Sequence, residues 1–299
     1  MYFWGMETAY TKYLKVGPVV YEMTAEVEMK VMDDCANFIS DEMPAFHEAT
    51  DLLVHCHIHL TDKTSVQIDG QVVYQDEKRV VLNHDGLERR LHLEQGAMYG
   101  YYREEDETHI TVEIPRYGEG PLMISTFFLE LLAFDRFLFR QNALVLHSAF
   151  IEWQGQGIDF TAPSGTGKST QASLWEKYEG TEVVNGDRSI IWLNPLTQRF
   201  EVCGLPFCGS SNIHLNKRMP LRAIVFIEQH PTNVVEVMPQ SRAAGKLFGE
   251  MSINQWNREV VLKSLDFIEK LSSEVTMVHL KCNMEQDAVN TLKHFLETH

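Results

Sequence analysis

A glycine-rich segment at residues 162–169 constrains this chain more than any other stretch of its sequence. It reads APSGTGKS, in which Gly165 and Gly167 come before Lys168 and Ser169. Glycine lets successive backbone N–H groups turn towards an anion without Cβ clashes, and the lysine adds a positive charge. The segment therefore predicts a loop that cradles phosphate groups, rather than a glycine-rich hairpin turn.

The flanking sequence has the order that such a loop requires. Residues 144–151 and 158–161 predict two strands joined by a glycine-containing turn, and the second strand leads into the loop. Residues 170–178 have helical spacing and end before Gly180. A helix that begins near Lys168 directs unpaired N–H groups and its positive dipole end at the same anion. The expected nucleotide-binding residues are Pro163, Ser164, Gly165, Thr166, Gly167, Lys168, Ser169 and Thr170.

Two residues outside the loop are candidates for chemistry. Mg²⁺ that bridges nucleotide phosphates is held by a hydroxyl, here Ser169, and usually by a carboxylate at the end of a neighbouring strand. Asp187 follows a short apolar strand and fits that position, although an ordinary turn aspartate is the alternative. His147 lies in the strand before the loop, where a hydrogen-bonded core histidine is the alternative to a role in the site.

The order of these residues resembles the catalytic core of the HPr kinase/phosphorylase and phosphoenolpyruvate carboxykinase superfamily. In that superfamily a strand histidine precedes the loop lysine, and an aspartate-bearing strand end follows; His147, Lys168 and Asp187 match these three positions. The chain also resembles bacterial HPr kinase-like proteins and the kinases of peptide-maturation clusters. That resemblance is carried by residues 204–209, 220–228 and 280–284.

The resemblance implies an ATP- and Mg²⁺-dependent kinase that transfers the γ-phosphoryl group to a hydroxyl, such as a serine of a small protein or peptide. Lys168, His147 and Asp187 are then the expected catalytic residues, and Ser169 and Asp187 the expected Mg²⁺ ligands. HPr kinases typically carry two successive acids where this chain has Gly186 and Asp187, so the identity of a general base stays open and phosphorylase activity is not implied. The alternatives are carboxykinase-like transfer to an enolate, or a non-catalytic nucleotide-dependent binding or scaffold protein.

The fold class expected from the pattern and the resemblance is α+β or α/β, in two domains. Residues 1–120 predict an antiparallel β-rich domain. Residues 121–299 predict the nucleotide-binding domain with a phosphate-binding loop, which the resemblance implies to have an HPr kinase/phosphoenolpyruvate carboxykinase-like mixed sheet with flanking helices. Apolar residues at helical spacing in residues 121–141 predict one helix at the start of the second domain, opened by Pro121.

Local patterns within the first domain predict particular strands and turns. Alternation of apolar and polar residues at 19–31 indicates one half-buried strand. Asp69-Gly70 and Asp85-Gly86 each predict a hairpin turn between two strands.

Two clusters outside the main motif are weaker candidates. His55, His57 and His59 fall on one face of a strand, a spacing that suits a metal, but a half-exposed strand whose other face is buried explains the same pattern. A basic cluster downstream of the loop suits either a γ-phosphate contact or a solvated loop. That cluster consists of Lys217, Arg218 and Arg222.

Composition limits the partners and the compartment. The 42 acidic residues against 26 basic ones make attraction to nucleic-acid phosphates or anionic lipid unfavourable, so neither nucleic acid nor membrane is an expected partner. Five scattered cysteines without CxxC spacing fit reduced thiols, and residues 1–30 contain no uninterrupted apolar run of the secretory type. A cytoplasmic location is expected, and homo-oligomerisation is left open.

Overall fold

The computed structural model describes residues 9–67, 69–116 and 118–299. The chain divides into two compact units, Met1–Phe137 and Leu138–His299. Strands and six helices occur in the described residues, so the protein belongs to the mixed α/β class. None of the helices in the described part of the chain has the length and apolar character needed to cross a membrane. The domain boundary expected between residues 120 and 121 stays a prediction.

The first unit is built mainly of strands, as its sequence predicts. In the described residues these are β1 (Tyr10–Val16), β2 (Val19–Ala25), β3 (Met29–Val31), β4 (Ile39–Ser40), β5 (Leu52–Thr61), β6 (Gln71–Gln75), β7 (Arg79–His84), β8 (Leu87–Glu94), β9 (Ala97–Glu104), β10 (His109–Pro115) and β11 (Leu122–Ile124). Nine of these described strands form one sheet in the order β4-β1-β2-β5-β10-β9-β8-β7-β6, and β11 pairs with β3.

The expectation of an antiparallel domain holds for most strand pairs of this sheet but not for β5, which pairs in parallel with both of its neighbours, β2 and β10. Parallel neighbours need a crossover rather than a tight turn, and long connections join β5 to β2 and to β10 along the chain. The single strand expected over residues 19–31 is also divided, into β2 and β3.

The two expected hairpins have different outcomes. The turn at Asp85 and Gly86 joins β7 to β8, with positive φ angles of 53° and 89° at its two central residues, as a type I′ turn requires. The turn at Asp69-Gly70 does not join two strands: residues 66–67 are outside any strand and β6 pairs with β7 instead. Ile68, which the same prediction included, lies outside the described residues.

The single helix expected over residues 121–141 is wrong. Its first part is β11, which pairs with β3, and Ser125 then caps a short helix, α1 (Thr126–Leu129), by accepting a hydrogen bond from the Phe128 N–H. One 3₁₀ turn follows, and Ala133 takes a left-handed conformation with φ 48° before α2 (Phe134–Arg140) begins. Strand pairing and capping thus divide a segment whose apolar spacing alone suggests one helix.

Around the glycine-rich loop, the second unit contains the two strands and the helix that the sequence predicts, within a few residues at their ends. Its described strands are β12 (Ala143–Trp153), β13 (Gln156–Thr161), β14 (Glu182–Asn185), β15 (Arg188–Leu193), β16 (Phe200–Cys203), β17 (Arg218–Gln229), β18 (Val234–Val237) and β19 (Thr276–Cys282). Its remaining helices are α3 (Lys168–Glu179), α4 (Gln240–Glu250), α5 (Arg258–Glu274) and α6 (Gln286–Thr298).

Two long strands, β12 and β17, hold the second unit together because each pairs with different strands along its length. Through residues 143–147, β12 pairs with β15, and through residues 148–153 it pairs with β13. The strand β17 pairs with β16 at its start and with β13 and β19 further along. His147 is therefore the last residue of β12 that pairs with β15, at the point where the strand changes partner.

Alternation along β17 explains how helices cover both faces of this sheet. Ala223, Val225 and Ile227 belong to the core that contains residues of α3 and α6. Ile224 and Phe226 belong to the core that contains residues of α4 and α5. A strand buried on both faces reads as a continuous apolar run, which is the pattern of residues 223–227.

Candidate functional site

The glycine-rich loop, residues 162–167, joins β13 to α3 in the order that the sequence predicts. Gly165 and Gly167 have φ angles of 78° and 112°, a region that other residues rarely adopt. A Cβ atom at either glycine would meet no atom within 4 Å, so the backbone angle, not crowding, requires glycine there. Gly167 is the N-cap of α3 and offers no side chain to its N–H groups, which leaves them available to an anion.

Lys168, the first residue of α3, folds back against the start of the loop. Its Nζ donates a hydrogen bond to the Ala162 carbonyl at 2.8 Å, and only 7% of the residue is exposed. Burial lowers the pKa of Lys168, whereas the nearby carboxylates of Glu250 and Asp187 act in the opposite direction. The ammonium group therefore lies within the electrostatic reach of two acids.

Ser169 connects the beginning of α3 to the turn that carries Asp187. Its hydroxyl donates to the Gly186 carbonyl at 3.0 Å, and the residue is otherwise exposed. In that turn the Asn185 Oδ1 accepts hydrogen bonds from the N–H groups of Asp187 and Arg188, both at 2.9 Å. Asp187 is thus both a turn residue and a candidate ligand, because its side-chain carboxylate is not used to form the turn.

His147 is brought beside Asp187 by the pairing of β12 with β15. Its Nε2 lies 3.9 Å from Asp187 Oδ1, and its side chain is 33% exposed. The Asp187 Oδ2 accepts a hydrogen bond from Arg188 Nε at 3.1 Å. His147 is half-buried and not a core histidine, and its role in a functional site stays a prediction.

Glu250 is a member of this cluster that the sequence interpretation missed. Its Oε2 lies 3.2 Å from His147 Nδ1, across 103 residues of sequence. A bridge between Leu146 and Met251 holds the end of α4 against β12. A sequence signal exists, because Glu250 is the last residue of α4 and a carboxylate is unfavourable at the negative end of a helix dipole.

A buried asparagine fixes the loop that borders the Asp187 turn. The Asn185 Nδ2 donates to the carbonyls of Leu205 at 2.9 Å and Phe207 at 3.0 Å, and Asn185 is fully buried. Further along this loop, a Cβ at Gly209 would come within 2.9 Å of Asp187 Cγ, so the backbone passes directly over the carboxylate. The sequence indicates the turn but not this link to the loop.

The three basic residues downstream of the loop form ion pairs and hydrogen bonds within the fold. Lys217 pairs with Glu152, at 2.6 Å, and with Glu182, and Arg218 lies 3.3 Å from Glu201. Residue 218 begins β17, whereas Phe226 is the residue of β17 that pairs with the end of β13, next to the loop. Arg222 donates to the Leu296 carbonyl at 2.8 Å.

The three histidines of β5 pair with residues of the neighbouring strand β2 and its end. His55 Nδ1 lies 2.6 Å from Glu22, His57 Nδ1 lies 2.8 Å from Thr24, and His59 lies 3.6 Å from Glu26. On the other face of the strand Val54, Cys56 and Ile58 are buried. The half-exposed strand therefore accounts for the histidine pattern.

A metal ion at the glycine-rich loop would have few protein ligands. Within residues 9–67, 69–116 and 118–299, no three His, Cys, Asp or Glu side chains are arranged to hold a metal. Mg²⁺ usually keeps several waters and takes one or two carboxylates together with substrate phosphates. The Ser169 hydroxyl and the Asp187 carboxylate are an oxygen donor set of that limited kind.

The fold and the site together define a mixed α/β protein in which a strand, a glycine-rich loop and a helix adjoin a histidine and two acids. Residues 123–286 match a family model described as "ScmC: SynChlorMet cassette protein ScmC". The match spans more than half of the chain, and the chain belongs to the ScmC family. No significant match was found among curated proteins.

One similar solved structure is the Hpr(Ser) kinase/phosphatase from Coxiella burnetii. The alignment covers 52% of this chain and 97% of that chain at 11% sequence identity, with a TM-score of 0.28. A TM-score this low carries no argument about fold or activity.

Proposed function

We propose that this protein is an ATP- and Mg²⁺-dependent kinase that transfers the γ-phosphoryl group to a hydroxyl, that of serine, on a small protein or peptide. The observation that carries the proposal is the convergence of Lys168, Ser169, His147 and Asp187 at the carboxyl end of β13 and the beginning of α3. The HPr kinase-like fold that the sequence resemblance implies for the second domain forms part of this proposal.

The glycine-rich loop and α3 supply the phosphate-binding part of the proposed site. Backbone N–H groups within residues 164–170 bind the phosphates, and Lys168 neutralises charge that develops during transfer. Ser169 and Asp187 would hold Mg²⁺, which would supply a Lewis acid to the nucleotide phosphates. Because phosphoryl transfer depends mainly on alignment and charge neutralisation, this small set of groups suffices chemically.

His147 is the proposed proton acceptor for the attacking hydroxyl. As the acceptor oxygen forms its bond to the γ-phosphorus, the bond from that phosphorus to the bridging oxygen breaks and ADP leaves. The hydroxyl proton is transferred to His147 Nε2, the ring nitrogen on the side of Asp187. This assignment leaves Asp187 as the Mg²⁺ ligand and makes a second acid at position 186 unnecessary.

We expect the acceptor to be the product of a neighbouring gene, since the family description names a cassette protein. The net charge of −16 disfavours nucleic acid as the substrate, and a basic acceptor peptide is the better electrostatic match. A cytoplasmic location is part of the proposal, because ATP is the expected phosphoryl donor; homo-oligomerisation is an open expectation.

The test is incubation of the purified full chain with Mg²⁺, radiolabelled ATP and each candidate acceptor, followed by mapping of the labelled residue. Lys168→Ala should abolish labelling, whereas Lys177→Ala, on the exposed face of the same helix, should label like the wild type. ATP binding without transfer to any acceptor would favour the scaffold alternative. Nucleotide-dependent turnover of oxaloacetate would instead favour the carboxykinase alternative.

A further inference from the structure

The contact between Glu250 and His147 determines which ring nitrogen of the histidine carries a proton. The Glu250 Oε2 lies 3.2 Å from His147 Nδ1, and the Glu250 side chain is only 16% exposed. A carboxylate accepts hydrogen bonds and does not donate them, so the facing ring nitrogen must be the donor. In neutral imidazole one nitrogen donates and the other accepts, so a proton on Nδ1 leaves the lone pair on Nε2.

The Nε2 lone pair lies on the side of the proposed chemistry. Nε2 is 3.9 Å from Asp187 Oδ1, which is beyond direct hydrogen-bond distance. The two groups are therefore neighbours that are not hydrogen-bonded to each other. A proton acceptor for a hydroxyl needs a free lone pair, and a metal ligand needs one too. The opposite tautomer would present an N–H group to the site and could perform neither role.

The position of Glu250 also explains how the site contains a second carboxylate although residue 186 is glycine. Glu250 and Asp187 both act on Lys168, with Glu250 exerting the larger effect of the two on its pKa. Two carboxylates therefore lie beside the histidine, Glu250 at 3.2 Å from Nδ1 and Asp187 at 3.9 Å from Nε2. One of them comes from the end of α4 instead of from the Asp187 turn.

We propose that Glu250 is a positioning residue that accepts the His147 Nδ1–H hydrogen bond and so keeps the Nε2 lone pair directed towards the Asp187 side of the site. The consequence for catalysis rests on the proposed kinase function. The tautomer itself does not, because the contact that sets it involves only two side chains of this chain.

The experiment is nitrogen NMR of the histidine rings in the full-length protein, without nucleotide, where the two ring nitrogens reveal which one is protonated. The His147 signals are assigned by their loss in His147→Asn. We expect an Nδ1–H tautomer in the wild type and loss of that preference in Glu250→Ala. Glu22→Ala is the matched control, because it removes the carboxylate 2.6 Å from His55 Nδ1 in the other unit and should leave the His147 signals unchanged.

Kinetics give a second readout that a merely structural role would not produce. Glu250→Ala should lower kcat by about 10- to 100-fold, with the KM for MgATP within about twofold of the wild type. Glu250→Gln preserves the side-chain volume and can present an amide oxygen to Nδ1. If this variant keeps the Nδ1–H tautomer, its kcat should stay near the wild-type value. If it loses that tautomer, its kcat should fall.

An Nε2–H tautomer in the wild type would overturn the inference, as would an Nδ1–H tautomer that persists in folded Glu250→Ala. A fall in kcat of Glu250→Gln with an unchanged tautomer would overturn it as well. If the expected tautomer is found in a protein that phosphorylates no acceptor, the proposed function fails and the role of Glu250 as the positioning residue stands.

Discussion

Gly186 and Ser211 are packed so closely that a Cβ atom at residue 186 would overlap the side chain of Ser211. The Ser211 hydroxyl donates to the Cys208 carbonyl at 2.7 Å and accepts from the Ile213 N–H at 3.3 Å, which fixes it in place. The turn at residues 208–211 thus occupies the space that a first acid would need. The glycine beside Asp187 is a packing requirement of this chain.

Gly186→Ala is therefore expected to destabilise the second unit. The φ of Gly186 is not in the left-handed region, so the backbone accepts alanine and the penalty comes from overlap with Ser211 alone. Overpacking of this kind typically costs about 1–3 kcal/mol, measured as the free energy of unfolding in denaturant.

A double-mutant cycle with Ser211→Gly tests that cause. Ser211→Gly removes the overlapping atoms, so Gly186→Ala should cost much less in the Ser211→Gly background than in the wild type. Additive effects of the two substitutions would contradict the packing explanation.

Asn185 should be essential for the shape of the Asp187 turn. In Asn185→Asp an oxygen replaces the amide nitrogen that donates to the carbonyls of Leu205 and Phe207. The two carbonyl oxygens would then face a carboxylate oxygen, which also accepts hydrogen bonds and cannot donate one. We expect a loss of about 3 kcal/mol or more in the free energy of unfolding, together with weaker nucleotide binding.

The matched control for that substitution is Asn194→Asp. Asn194 is also buried, and its Nδ2 donates to Glu201 at 2.7 Å, but it belongs to the turn between β15 and β16 and not to the Asp187 turn. It should destabilise the protein comparably while leaving nucleotide affinity intact. A loss of affinity in both variants would indicate general destabilisation.

The strands and the helix around the glycine-rich loop could be predicted from local sequence because their signals are local. Glycines with positive φ define the loop, Gly180 ends α3 with φ 64°, and continuous apolar residues define β17. The segment at residues 121–141 could not be predicted in this way. Its apolar spacing fits a helix, but the pairing of β11 with β3 depends on residues about 90 positions away in sequence.

The candidate site was predictable only in part for the same reason. Lys168 and Ser169 lie in one recognisable motif, and His147 and Asp187 lie on its neighbouring strands. Glu250 approaches His147 only through tertiary packing of α4, and the Asn185 contacts with Leu205 and Phe207 require the folded loop. Spacing along the chain contains no information about such long-range contacts.

In the first unit, Asp135 should be important for stability because it pairs with a fully buried guanidinium. The Arg90 nitrogens donate to both Asp135 oxygens at 2.7 Å, and Arg90 also pairs with Glu88. Asp135→Ala would leave the buried charge of Arg90 incompletely paired, which is expected to cost about 3–5 kcal/mol.

Asp41→Ala is the comparison for Asp135→Ala. It removes the exposed ion pair with Lys12, in which the Asp41 side chain is 79% exposed, and should change stability by less than about 1 kcal/mol. Denaturant unfolding of the two variants measures the difference. Equal losses in the free energy of unfolding would show that burial does not determine how much the Arg90–Asp135 ion pair contributes to stability.

Asp159 should make the stability of the second unit depend on pH. The residue is fully buried in β13, and burial raises its pKa from 3.8 to about 7 despite hydrogen bonds from Ser148 and Ser189. Among the described residues no group hydrogen-bonds to its Oδ1. A buried carboxyl with an unpartnered oxygen favours the protonated form.

The direction of the effect follows from proton binding. Between about pH 4 and pH 7 the folded state keeps a proton on Asp159 that the unfolded state has lost, so this group's stabilising contribution decreases as the pH rises. The slope is about 1.4 kcal/mol per pH unit at most, and it disappears above the folded pKa. Asp159→Asn, which resembles the protonated carboxyl in shape and charge, should remove this component.

Denaturant unfolding of the wild type and Asp159→Asn at several pH values provides the measurement. The two proteins should differ least near pH 4, and the asparagine variant should gain in relative stability up to about pH 7, after which the difference should stay constant. Comparing the two proteins at each pH cancels the titration of every other group. A difference independent of pH would show that Asp159 ionises alike in the folded and unfolded states, and the buried carboxyl would then have a partner that favours its charge.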